Sequence, residues 1–109
     1  MNLRIYPVVL ELVRRLAPRL AELKTRSAAL GEQCERALVS LPLNVAEGAY
    51  SRGRNKAARY QTAAASAREV LACWETAQAL GWVGPLDAGT LRLFNQVLGT
   101  LVRLMRPLK

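Results

Sequence analysis

Apolar residues recur every third or fourth position in four successive segments, and only short breaks separate the segments. That spacing is the signature of amphipathic helices, because 3.6 residues per turn bring positions i, i+3, i+4 and i+7 onto one face. The first segment runs from about Tyr6 to Lys24, with Tyr6, Val9, Leu10, Val13, Leu16, Ala17, Leu20 and Leu23 as its stripe. Pro18 lies on the polar side, where it either bends the helix or opens a new one after Ala17. The second runs from about Ser27 to Tyr50. The third, from about Asn55 to Leu80, carries Tyr60, Ala64, Ala67, Leu71 and Trp74, widened by Ala63, Val70 and Ala77. Asn55 is its expected N-cap and Gly81 its expected terminator. The fourth runs from about Leu86 to Met105 on Leu91, Phe94, Leu98, Leu101 and Met105, with Pro85 in the first turn and Asp87 facing the positive helix end. Short connections favour antiparallel neighbours, so the expected fold is all-α: one up-down-up-down four-helix bundle spanning residues 1–109.

The second segment adds a further constraint. Between residues 33 and 51, Gln33, Arg36, Ser40, Asn44, Glu47 and Ser51 share one narrow seam, and nearly everything else is apolar. The apolar arc covers roughly 240°, whereas a helix on the surface of a lone bundle needs little more than about 100°. Two surfaces must cover it, one of which is most simply a second subunit. Pro42 lies inside this helix and cannot donate to the carbonyl of Leu38. The helix is therefore expected to kink, with Ser40 and Asn44 bonding nearby backbone and Glu47 pairing with an arginine of another helix or subunit.

Charge narrows the partners. Lys and Arg number 16 against 8 Asp and Glu, a formal +8, which favours polyanions over other ligands. No acidic residue lies between Glu47 and Glu69, an interval that holds Arg52, Arg54, Lys56, Arg59 and Arg68. Gly53 lets backbone amides approach an anion, and Tyr50 and Tyr60 flank the cluster as stacking faces. A second basic group, Arg14, Arg15, Arg19, Lys24 and Arg26, lies on the outer face of the first helix. The plain alternative for both groups is a solvated, inert surface.

Catalysis is not expected. The chain has no histidine, which removes the usual general base, the Ser-His and Cys-His pairs and most zinc sites. No carboxylate pair is spaced for acid–base work. Neither Cys34 nor Cys73 belongs to a CxxC, so two reduced, semi-buried thiols in a cytoplasmic chain are expected, a disulfide between them being the alternative, with no metal and no cofactor. No apolar run of about eighteen residues exists to cross a membrane, and charges interrupt any secretory core near the N-terminus.

Ser40-Leu41-Pro42-Leu43-Asn44-Val45-Ala46-Glu47-Gly48 resembles the S-[IV]-x-x-N-[IV]-A-E-G signature of the bacterial four-helix bundle proteins. That family includes the products of intervening sequences in 23S ribosomal RNA genes and the accessory variability determinants of diversity-generating retroelements. Gln33-Cys34-Glu35-Arg36-Ala37 is similar to the family's Q-x-x-R-A. Ala63, Ser66 and Glu69 fit A-x-x-S-x-x-E, and Ala77-Gln78-Ala79-Leu80-Gly81-Trp82 resembles A-x-x-L-G-[YW]. Ala65 stands where the family often has glycine. The resemblance implies a ring-like homopentamer without enzymatic activity or small-molecule substrate. It also implies that some members bind RNA or DNA and a reverse transcriptase.

Overall fold

The computed structural model describes residues 4–105 as four helices: α1 Ile5–Arg26, α2 Ala28–Tyr50, α3 Gly53–Ala79 and α4 Ala88–Met105. Each helix packs on its neighbours in the chain, and α4 closes back onto α1, which makes the expected antiparallel four-helix bundle. The α2–α3 pair is the most extensively packed.

Local chemistry sets the helix ends. The Ser27 hydroxyl caps α2 by accepting from the Leu30 amide at 3.1 Å. At the end of α3, the Trp82 amide donates to the Ala77 carbonyl and the Gly81 amide to that of Gln78, a Schellman closure at the expected glycine. Two expected boundaries move. α3 begins at Gly53, so Asn55 lies inside its first turn and Arg52 is the N-cap. α4 begins at Ala88, because Asp87 takes the cap: its carboxylate accepts from the Thr90 amide at 3.0 Å and the Thr90 hydroxyl at 2.7 Å. Pro85 consequently lies outside the helix, and its carbonyl accepts from Arg19.

Both internal prolines are accommodated without a break. α1 continues through Pro18 and α2 through Pro42. Pro18 is exposed, where water can take up the carbonyl it leaves unpaired.

The core is built from Val9, Leu12, Leu16 and Leu23 of α1, Leu38, Leu41 and Val45 of α2, the alanine-rich face of α3 with Val70 and Trp74, and Phe94, Val97 and Leu101 of α4. Two stripes are turned relative to expectation. In α1, Leu12 is fully buried while Ala17 is exposed. In α4, Val97 and Thr90 point inward while Leu91 is 41% exposed. Both helices carry apolar residues on adjacent lines, and the neighbouring helices choose between them. The α3 stripe is buried as expected, with Leu71 at its half-buried margin. Trp74 is anchored by its indole N–H to the Gly84 carbonyl at 3.1 Å, and the Arg19 guanidinium lies 4.5 Å from its ring centroid.

Candidate nucleic-acid interface

The α2–α3 hairpin is seated by small residues of the signature segment. A Cβ on Gly48 would lie 2.7 Å from a Tyr60 ring carbon, so the glycine is required for this approach. Tyr60 is buried against it and therefore offers no stacking face, contrary to expectation; Tyr50 is 75% exposed and does. The polar seam of α2 forms one network with α3. Asn44 Nδ2 donates to the Ser40 carbonyl at 2.9 Å and to its hydroxyl at 3.0 Å, and Ser66 Oγ donates to Ser40 Oγ at 2.8 Å. Arg59 Nη1 completes it by donating to Asn44 Oδ1 at 3.4 Å. Asn44 thus bonds nearby backbone, as expected beside a helix proline, whereas the Ser40 hydroxyl bonds only the side chains of Asn44 and Ser66.

Glu47 is exposed and enters no salt bridge among the described residues; Arg59 turns to Asn44 instead. Within one chain, the expected pairing of Glu47 with an arginine of another helix is not made. Its backbone carbonyl accepts from the Ser51 hydroxyl at 2.8 Å, which closes the last turn of α2.

This hairpin delivers the basic turn. Arg52 and Arg54 are exposed on either side of Gly53, whose φ of 57° lies in the left-handed region that favours glycine. The Lys56 ammonium lies over the Tyr60 ring, 5.9 Å from its centroid. Arg59 borders an open polar cleft of about 380 Å³, lined by Ser51, Asn55, Ala58, Arg59 and Thr62. Among the described residues, none of Arg52, Arg54, Lys56 and Arg59 forms a salt bridge. Arg68 does not join them: nine residues beyond Arg59, it projects from the opposite side of α3, about 14 Å along the axis.

The first-helix group is differently placed. Arg14 and Arg15 both bind Glu11, at 3.3 and 3.1 Å, and Arg15 also lies 3.7 Å from Asp87. Arg19 binds Glu22 at 2.7 Å, and Lys24 binds Glu35 at 3.0 Å. Hydrogen bonds from Arg15 and then Arg14 hold the Glu11 carboxyl below its ordinary pKa, and Arg19 does the same for Glu22. Arg14, Arg15 and Arg19 therefore face local carboxylates and present little free charge to a ligand.

An apolar surface lies beside the turn-bearing helix. Val39 and Leu43 of α2 are 52% and 59% exposed. They border a groove of about 300 Å³ that also takes in Val13, Ala17, Leu20 and Pro42. This is the part of the broad α2 arc that the bundle leaves uncovered.

Among the described residues, no group of three or more His, Cys, Asp or Glu side chains is arranged to hold a metal ion. No described helix is long and apolar enough to cross a membrane. No protein-family model, curated protein or solved structure matches this chain.

Proposed function

We propose that this chain is a non-enzymatic accessory protein that self-associates and holds RNA or DNA through its phosphates. The observation that carries the reading is the α2–α3 turn: within eight residues it holds Arg52, Arg54, Lys56 and Arg59, none in a salt bridge among the described residues, and Arg59 borders a polar cleft. Gly53 takes a left-handed φ at the turn, and Tyr50, the last residue of α2, is exposed as a surface for a base. Self-association is supported by the uncovered α2 ridge of Val39 and Leu43 next to the α1–α2 groove. Ridge and groove lie on one face, so a second copy of the same chain supplies a complementary surface to both. Repetition in an oligomer multiplies the phosphate contacts. A subunit number of five, and a reverse transcriptase as the partner that receives the nucleic acid, are what the family resemblance adds.

The test is binding of labelled RNA and single-stranded DNA across a salt series, with the mass in solution measured in parallel. Four phosphate contacts per site predict a log–log slope of about −3 to −4. Absence of binding at low salt rejects the nucleic-acid reading. A stable oligomer without it favours the other reading, a structural protein-interaction module with an incidental basic surface, to which the apolar groove would still belong.

A further inference from the structure

Two cross-helix contacts mark the register of α2 against α3. Gly48 lies against the Tyr60 ring and Ser40 accepts from Ser66. Residue numbers fall along one helix as they rise along the other, at about two turns per layer on each side, so the register itself brings the two cysteines opposite one another. The seam between the layers is made of small residues, among them Ala37, Ala63 and Ala67, all buried, and small residues let packed helices approach closely. Both thiols are free and buried, at 2% and 4% exposure. The Gln33 amide crosses the same two helices to the Glu69 carboxylate at 3.3 Å, one position before Cys34 and one turn before Cys73.

We propose that Cys34 and Cys73 form a redox-active pair, which a peroxide converts to an intramolecular disulfide that ties α2 to α3. The bridge closes the hairpin at the end away from the basic turn, about 24 Å along the helices from it. In the first step one sulfur takes oxygen from hydrogen peroxide, giving a sulfenic acid and one water. In the second the facing thiol displaces the hydroxyl, the S–S bond forms and a second water leaves. Two electrons and two protons pass from the thiols to the peroxide. Burial sets the pace. Desolvation first, and the neighbouring Cys73 second, push the Cys34 thiol up to about 12, so little thiolate is present at neutral pH and the pair stays reduced under brief exposure. Facing placement favours the second step over further oxidation.

The experiment treats the intact protein with hydrogen peroxide, alkylates the remaining thiols and digests it with trypsin without reductant. The expected product is one disulfide-linked pair, residues 27–36 joined to residues 69–92, that disappears on adding dithiothreitol. The oxidised protein is expected to melt about 10 °C or more above the reduced one, reversibly with reductant. Cys73→Ser should lose both the linked pair and the shift; the wild-type peptide map stands without it. Sulfinic acid with no linked pair, links between like cysteines of two chains, or an unchanged Tm would overturn the proposal.

Discussion

On α1, Arg14 and Arg15 share the carboxylate of Glu11, Arg19 is bound to Glu22 and lies over Trp74, and Lys24 is bound to Glu35. At the α2–α3 turn, Arg52, Arg54, Lys56 and Arg59 have no carboxylate within salt-bridge distance among the described residues. The two groups are similar in size and composition, and both lie on the surface. The difference comes from helical spacing. Glu11 precedes Arg14 and Arg15 by three and four residues, and Glu22 follows Arg19 by three, which are the separations at which side chains meet on a helix. The turn lies in an interval without acidic residues, so no such pair can form there. Exposed ion pairs contribute little to stability, but they reduce the charge that a phosphate encounters.

The largest expected effect separates the two groups directly. Changing Arg52, Arg54, Lys56 and Arg59 together to serine should lower affinity for single-stranded nucleic acid about 100-fold or more at low salt and flatten the salt slope. Changing Arg14 and Arg15 to serine should alter affinity less than about threefold. If the α1 variant proves the weaker binder, the ranking of the two groups is reversed.

Next in size is the seat of the turn. Gly48→Ala should destabilise the fold by about 1–3 kcal/mol in urea unfolding, because the added methyl must displace the Tyr60 ring. An unchanged midpoint would mean that the hairpin carrying the turn tolerates a wider approach.

Arginines of the two groups should also differ in stability. Arg19→Ala removes a guanidinium that stacks on Trp74 and donates to the Pro85 carbonyl at 3.2 Å, and should cost about 1 kcal/mol. Arg54→Ala should stay within about 0.5 kcal/mol of wild type. Equal losses would show that Arg19 has no special structural role.

The smallest effect is acid-dependent. Glu11 and Glu22 have pKa values depressed in the folded state by their arginine partners, so their contribution to stability is present above the ordinary carboxylate pKa. It is lost as pH falls through the depressed value. Protonation frees the α1 guanidiniums, so the binding deficit of the Arg14/Arg15 variant should grow as pH falls through those depressed values. The deficit of the turn variant, which has no such carboxylate to titrate, should not. Affinities of both variants followed from pH 7 down through the acid range measure the contrast.

Reading from residues alone reached far into α3 and less far into α1 and α4. In α3 the apolar line from Tyr60 to Ala77 stands between polar positions on both sides, so only one face can turn inward. In α1, Leu12 and Ala17 belong to adjacent apolar lines that periodicity weighs nearly equally. Contact with α2 and α4 buries Leu12 and leaves Ala17 on the groove. Asp87 was visible as an acid near a helix start, but its choice as cap, ahead of Pro85 and Leu86, needed the Thr90 amide and hydroxyl in place. At the candidate site, the run of cations without acids was legible in the sequence. Tyr60 offers no stacking face because Gly48, which its ring packs against, comes from another helix, a contact that spacing along the chain does not reveal.

The sequence by itself determined four helices, their antiparallel order, the terminator at Gly81 and the concentration of unopposed charge near Gly53. All of these depend on neighbours within a few residues, where propensity, capping and spacing act. Tertiary structure alone decided which apolar line of α1 and α4 is buried, that Cys34 faces Cys73, that Arg59 joins the Asn44–Ser40–Ser66 network, and that Arg68 stands apart from the turn. Those outcomes depend on the register between helices, which close packing of side chains distant in sequence selects.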